Sequence, residues 1–317
     1  MRKGGSQEPP FSFLLLFCLS QPSSRGAAEG CVSKDISGNS GTIWSIFRDA
    51  AGAAPLDEDC ILPKEPAMTR PVLLVTGGSR GIGAATCIMA AGRGYDVAVN
   101  YQSNAKAAAE VVAACEGKGA KAVALQGDMA DEADIIRVFA EARTALGPLT
   151  HVVNNAGITG RSGLLVETDA AIIRDCIDVN VTGAILVARE AARALIASPG
   201  VEGRAIVNIS SVAAELGSPG EYVWYAASKG AVDSLTIGLA KELAGHGIRV
   251  NAVAPGITET EIHALSTGEA GRVARIAPLI PLKRAATADE IAEAVLFLLS
   301  EASSYTTGII LKVSGGR

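Results

Sequence analysis

The sequence predicts an α/β fold, a doubly wound parallel sheet with helices on both faces, formed as one domain behind an N-terminal extension. Three observations predict it. From Pro71 onward, apolar strand-like runs alternate with helical segments of about 12–20 residues, the pattern of a parallel sheet covered on both sides. Glycine is frequent at 35 residues and aromatics are sparse at 4%, which suits many tight strand-to-helix turns. Hydrophobic residues make up 49% and charged ones 19%, enough to bury a large core and too apolar for a disordered or collagen-like chain.

The elements follow in order. Strand Val72–Thr76 leads to helix Ile82–Arg93, and strand Asp96–Tyr101 to helix Ala105–Lys118. Strand Ala120–Gln126 leads to helix Glu132–Leu146, and strand His151–Asn154 to one long helix over Ala170–Ile196. Strand Ala205–Ile209 precedes helix Tyr222–Ala244, and strand Arg249–Val253 precedes an irregular stretch. Helix Ala288–Leu299 and strand Ile309–Val313 complete the domain, which is expected to span residues 68–317.

Residues 1–67 read differently, with six of the 13 prolines, no sustained amphipathic period and a Ser/Gly-rich stretch at Ser33–Thr42. The apolar run Phe11–Leu19 is too short to span a bilayer, which needs about 20 residues. Arg2 and Lys3 ahead of it allow a signal-peptide reading, but Gly26–Ala28, the small-residue site, lies far past the run. The reading favoured here is an extension outside the working protein, with the functional chain starting at Met68 and acting in the cytoplasm.

The net charge of −5 and a pI near 5.4 argue against nucleic acid as a partner, since phosphate neutralisation needs clustered Lys and Arg. No membrane partner is expected either. The six cysteines (Cys18, Cys31, Cys60, Cys87, Cys115 and Cys176) form no CxxC pair, and the three histidines form no HExxH. Reduced, buried thiols and no metal site are therefore expected.

The first strand runs into Thr76-Gly77-Gly78-Ser79-Arg80-Gly81-Ile82-Gly83. Glycines in that place allow a tight turn, close backbone approach to a pyrophosphate and close helix-to-strand packing. The helix that follows offers free N–H groups and a positive dipole end to phosphate, as in a Rossmann-type dinucleotide site. The second strand ends at Tyr101, and no Asp or Glu occurs between Val97 and Ala109. A carboxylate there would bind the ribose 2′-hydroxyl of NAD and repel a 2′-phosphate. Its absence, with Arg80 in the phosphate loop, favours NADP(H), with NAD(H) as the lesser option.

Tyr225 and Lys229 stand four residues apart and share one helix face. A phenol of pKa about 10 is a poor base near neutrality. A nearby ammonium is expected to stabilise the phenolate and draw that pKa toward the working pH. Ser210 and Ser211 close the preceding strand, at the carboxyl edge where such sheets bind ligands, and a hydroxyl there can hold a carbonyl oxygen beside the Tyr.

The combination resembles the short-chain dehydrogenase/reductase family. The match rests on the Thr76–Gly83 turn, Asn154-Asn155-Ala156-Gly157, Asn180, Ser211, Tyr225-Ala226-Ala227-Ser228-Lys229 and Pro255-Gly256. The resemblance implies an oxidoreductase that moves hydride between NADP(H) and a small carbonyl or alcohol, rather than a nucleotide sensor on the same fold, because Tyr225 and Lys229 are both intact. It implies Tyr225 as general acid/base, Lys229 as its activator and a ribose ligand, Ser211 as the carbonyl-orienting hydroxyl, and Asn180 as the residue that kinks its helix and holds a relay water. It also implies cofactor contacts from Thr76, Gly77, Ser79, Arg80, Gly81, Ile82, Gly83 and Tyr101. Further contacts are implied from Asp128 at the adenine, Met129, Asn154 beside the adenosine ribose, Ala156 and Gly157, and Pro255, Gly256 and Thr260 around the nicotinamide. Thr258, where the family often has Ile, and Ser314, where it usually has Asp, depart from the pattern.

On substrate, Gly217-Ser218-Pro219-Gly220-Glu221-Tyr222 is similar to sugar-alcohol and glucose dehydrogenase-like members. Reductases of 3-oxoacyl groups on acyl carrier protein share the overall pattern and usually meet the acidic carrier with basic residues. Here Arg204 stands at such a position, but His246 replaces the common Arg or Lys. The substrate loop is expected at Ile262–Pro281. Small residues on the 170–196 and 222–244 helices permit close helix approach, and the resemblance implies that these helices pair in a homodimer or homotetramer.

Overall fold

A computed structural model describes residues 70–198, 202–261, 266 and 271–317. The expected extension at 1–67, its apolar run Phe11–Leu19 and part of the substrate loop lie outside the described residues.

Seven strands form one parallel sheet. They are β1 (Val72–Val75), β2 (Asp96–Tyr101), β3 (Ala122–Gln126), β4 (His151–Asn154), β5 (Ala205–Ile209), β6 (Arg249–Pro255) and β7 (Ile310–Val313). Their spatial order is β3-β2-β1-β4-β5-β6-β7, and every neighbouring pair is parallel. The chain builds outward from β1 through β2 to β3, then returns to lay β4 on the other side of β1. That reversal opens a crevice at the carboxyl ends of β1 and β4, where ligands bind in sheets of this kind.

Helices cover both faces, so strand residues are apolar on both sides and β1 is buried throughout. On one face, Leu73, Val75, Val99, Val207 and Val253 pack with α1 (Gly81–Gly92), α2 (Ala105–Glu116) and the late helix Ala288–Leu299. On the other, Leu74, Ala98, Val152, Ile206 and Val250 pack with α3 (Glu132–Leu146) and with the two long helices that follow. Asp131 caps α3 by accepting from the Asp134 N–H at 2.9 Å, and Thr287 and Glu290 form a reciprocal capping box at the start of the late helix.

The long helix expected over Ala170–Ile196 is two α-helical pieces, α4 (Ala170–Ile177) and α5 (Ala184–Ile196), joined by a π-helical segment at Asp178–Gly183. Asn180 lies within it. Its Oδ1 accepts from the Ile158 N–H and its Nδ2 donates to the Ile158 carbonyl, both at 2.8 Å, so the loop after β4 takes bonds across the helix wall. Two short helices were not legible from periodicity, α6 (Ala213–Leu216) and α8 (Arg272–Ile276), flanking α7 (Val223–Leu243) and β6; α9 is Ala288–Leu299.

Gly183 closes the π segment against the loop after β3, where an added Cβ would lie 1.9 Å from the Met129 carbonyl oxygen. Backbone faces backbone there, so neither side can give cheaply. Gly183→Ala is expected to cost about 1–3 kcal/mol, lowering the melting temperature by several degrees in a thermal scan.

Among the described residues no helix is long and apolar enough to cross a membrane, and no three His, Cys, Asp or Glu side chains cluster as a metal site. Cys87, Cys115 and Cys176 are free, buried thiols, and burial raises the pKa of each.

Candidate active site

A continuous cleft of about 330 Å³ runs across the carboxyl edge of the sheet. At one end the loop after β1 turns through Gly77 and Gly81, whose φ of +62° and +53° fall in the left-handed region. An added Cβ on Gly83 would lie 2.4 Å from the Gly77 carbonyl oxygen, so the first turn of α1 packs directly on the loop. No side chain caps α1, and its first residues line the cleft, which leaves backbone donors and the positive dipole end for an anion. The residues therefore suit a dinucleotide pyrophosphate.

The loop is braced from below. Thr76 is fully buried, and its hydroxyl accepts from the N–H groups of Asn155 (2.9 Å) and Ala156 (3.0 Å). The Asn155 amide donates to the carbonyls of Thr76 (2.8 Å) and Gly77 (3.0 Å). Asn100 accepts from the Gly77 N–H at 3.1 Å and donates to the carbonyls of Leu125 and Gly127, tying the ends of three strands together.

Gly77, Ser79, Arg80, Gly81, Ile82 and Tyr101 line the cleft, as do Asp128, Met129, Ala156, Gly157, Pro255, Gly256 and Thr260. Thr76 and Gly83 lie behind this wall and shape it. Asn154 departs from expectation. Its amide donates to the Ala184 carbonyl (2.9 Å) and to Asn208 Oδ1 (3.2 Å), beneath the sheet edge, because strand alternation turns it away from the cleft. Asn155 holds the cleft position instead. Asp128 accepts from the Ala130 N–H (2.9 Å) and from Gln102 Nε2 (2.8 Å). Arg80 is 60% exposed and lies 3.6 Å from the carboxylate of Glu261. Thr258 is turned inward, its hydroxyl donating to the Gly256 carbonyl at 3.1 Å.

At the other end, α7 brings Tyr225 and Lys229 to the end of β5. Ser210 and Ser211 separate there. Ser210 is buried and donates to the Lys229 carbonyl at 3.4 Å, whereas Ser211 lines the cleft with Tyr225 and its Oγ accepts from the Ala213 N–H at 3.1 Å. The Lys229 ammonium is buried, donates to the Ile209 carbonyl at 2.8 Å and sits 5.7 Å from the centroid of the Tyr225 ring. Burial pulls its pKa down to about 8, with Cys176 and Asp233 acting the other way. The expected activation of Tyr225 is not what this arrangement produces. Burial pushes the Tyr225 phenol up from its ordinary value, and the neighbouring Ser211 acts the other way. The arrangement suits a neutral phenol that gives a proton.

Asn180 is buried, and its amide also donates to Ser228 Oγ at 3.0 Å, while Ser228 donates to the Tyr225 carbonyl at 2.7 Å. The π turn is thus tied directly to the backbone of the Tyr225 turn. Arg204, expected as a carrier-facing cation, sits ahead of β5 at the sheet's opposite edge. Its guanidinium donates to the carbonyls of Leu195 (2.7 Å), Ser198 (3.2 Å) and His246 (2.6 Å). Sequence reading missed Glu221, Tyr222 and Arg272, which also line the cleft. Of these only Glu221 and Tyr222 carried a signal, by lying just before the Tyr-x-x-x-Lys pair.

The family model described as Enoyl-(Acyl carrier protein) reductase matches residues 77–317. The chain is 49% identical to "Uncharacterized oxidoreductase YgfF" of Escherichia coli (strain K12), over 78% of this chain and 99% of that one. It is 37% identical to a 3-oxoacyl-[acyl-carrier-protein] reductase of Synechocystis, over 79% and 98%. A crystal structure of a short chain dehydrogenase from Burkholderia cenocepacia J2315 in complex with NADP matches with a TM-score of 0.72 and 35% identity, over 78% of this chain and 97% of that one. This chain has a crevice at β1 and β4, with the braced glycine loop and Ser211, Tyr225 and Lys229 along one cleft. It belongs to the short-chain dehydrogenase/reductase family and is an NAD(P)-dependent oxidoreductase.

Proposed function

We propose that residues 68–317 form an NADP(H)-dependent reductase that interconverts a carbonyl and an alcohol on a small substrate. The observation that carries this reading is one cleft with an uncapped, glycine-braced helix end at one side and Tyr225, Ser211 and Lys229 at the other. When bound, the nicotinamide dinucleotide supplies the hydride. Ser211 holds the carbonyl oxygen by donating a hydrogen bond, and Tyr225 gives its phenolic proton to that oxygen as negative charge develops there. The Lys229 ammonium, 5.7 Å from the ring centroid, stabilises the phenolate left behind and binds the ribose. The Asn180 side chain is already spent on Ile158 and Ser228, so it holds the π turn in place.

Three further points belong to this reading. NADP(H) is preferred because β2 ends in Tyr101 without a carboxylate. The enzyme works in the cytoplasm as a homodimer or homotetramer. Residues 1–67 are dispensable, so a chain starting at Met68 keeps full activity in a steady-state assay. The reading as a whole is tested with ketones, aldehydes, sugars and acyl thioesters, following NADPH oxidation. Oxidation with none of them would reject it. The second reading, a reductase of 3-oxoacyl groups on acyl carrier protein, is favoured by the likeness to the Synechocystis protein.

Lys229 gives a pH signature. Its pKa of about 8 means that the ammonium is lost above that pH, and turnover at saturating NADPH is expected to fall as pH rises through 8. The stability term has the opposite sign. Between pH 8 and the unfolded value near 10.5 the unfolded chain holds the extra proton, so this group's contribution to stability rises with pH. Holding the buried charge at neutral pH costs about 3 kcal/mol. Rates measured against pH for wild type and Lys229→Arg check it; Arg does not titrate in this range, so the alkaline limb should vanish.

A further inference from the structure

The substrate end of the cleft has a charged wall. Arg272 opens α8 and is only 2% exposed, although a guanidinium is rarely buried without a purpose. It forms an ion pair with Glu221, donates to the Tyr222 hydroxyl at 2.9 Å, and lies 5.5 Å over the Tyr222 ring. The Tyr222 ring meets Tyr225 edge to face, with centroids 5.5 Å apart. Three segments are stitched together to make this wall. The Gly163 N–H donates to the Glu221 carbonyl and the Ser162 N–H to the Ser266 carbonyl, both at 2.8 Å. The wall therefore stands one ring away from the Tyr225 side chain.

We propose that Glu221, Tyr222 and Arg272 are specificity residues, and that the substrate is a neutral hydroxylated carbonyl compound with a hydroxyl on the carbon beside the carbonyl. This rests on the reading that Tyr225 protonates a carbonyl oxygen. A carboxylate only accepts hydrogen bonds, a guanidinium only donates them, and a phenol does both. A hydroxyl answers the two groups that Arg272 holds in place, giving its proton to Glu221 and taking one from Tyr222, whose oxygen accepts from Arg272. An alkyl group in that place covers the carboxylate, 34% exposed, and strips its water without replacing the bonds. An anionic group meets Glu221, and a cationic one meets Arg272 and Arg317, which also lines the cleft. The ion pair favours the neutral donor–acceptor over either.

The experiment compares hydroxyacetone with its isostere butanone, and with pyruvate as the anionic case, by kcat/KM for NADPH oxidation. Wild type is expected to favour hydroxyacetone over butanone by about 10- to 100-fold. Some of that ratio is the greater electrophilicity of the hydroxy ketone, which is the same in every variant. The decisive quantity is the change in ratio. In Glu221→Gln, which keeps the shape, and in Arg272→Met, whose folding is checked by circular dichroism and NADPH binding, the ratio should fall about tenfold. A ratio unchanged within about twofold in the folded variants overturns the proposal, as does a wild-type preference for butanone or pyruvate. If wild type reduces no ketone but oxidises NADPH with an acyl thioester, the proposal falls while the reductase reading stands. If it oxidises NADPH with no carbonyl at all, both fall.

Discussion

Tyr225→Phe is expected to lower turnover at least 100-fold while NADPH binding survives. The phenol lines the cleft with Ser211 at the end of β5 and carries a proton it can give. Losing a general acid of this kind costs about 100- to 10,000-fold. The substitution removes one oxygen and leaves the ring against Tyr222 and the helix α7 intact, so folding should be unchanged. Stopped-flow binding of NADPH, with single-turnover reduction of any accepted ketone, separates the two effects. A variant with near wild-type single-turnover rate would remove Tyr225 from the chemistry. Because burial raises the phenol pKa, the wild-type enzyme should also work as a reductase without a rise in rate toward high pH.

The second large effect concerns the cofactor. A 2′-phosphate gains a charge-assisted hydrogen bond from Arg80, worth about 1.5–3 kcal/mol, or about 10- to 100-fold in preference for NADPH over NADH. The Arg80 side chain is 60% exposed and lies near Glu261, so the effect is expected toward the tenfold end. Arg80→Ala should abolish most of the preference with little change in NADH use. Tyr101→Asp should invert it, since a carboxylate at the end of β2 repels the 2′-phosphate and accepts from the ribose hydroxyls. Steady-state kinetics with both cofactors measure the order. Equal efficiencies in the wild type would show that the missing carboxylate does not decide cofactor choice.

The parts of the molecule that could be read from the chain were those carried by local pattern. The seven strands came within a few residues of their positions because parallel strands buried on both faces are continuous apolar runs. The glycine loop was legible because close backbone approach excludes a Cβ, and Gly77, Gly81 and Gly83 record that exclusion one residue at a time. Tyr225 and Lys229 were legible as a pair because helical spacing alone puts them on one face.

Local pattern was silent where two distant segments share a bond. Nothing near Asn180 says that its amide spans to Ile158 from within a π turn. Asn154 and Asn155 are chemically identical neighbours, and only the strand's alternation in the folded sheet sends one beneath the edge and the other to the loop. The pKa of Tyr225 follows the same division. The sequence by itself determined the sheet, the glycine loop and the shared helix face of Tyr225 and Lys229, since spacing and side-chain size encode them locally. The tertiary structure alone decided that the lysine bonds a carbonyl, that burial raises the Tyr225 pKa, and that Arg272 comes to rest on Tyr222, because burial and long-range hydrogen bonds exist only once the chain has closed on itself.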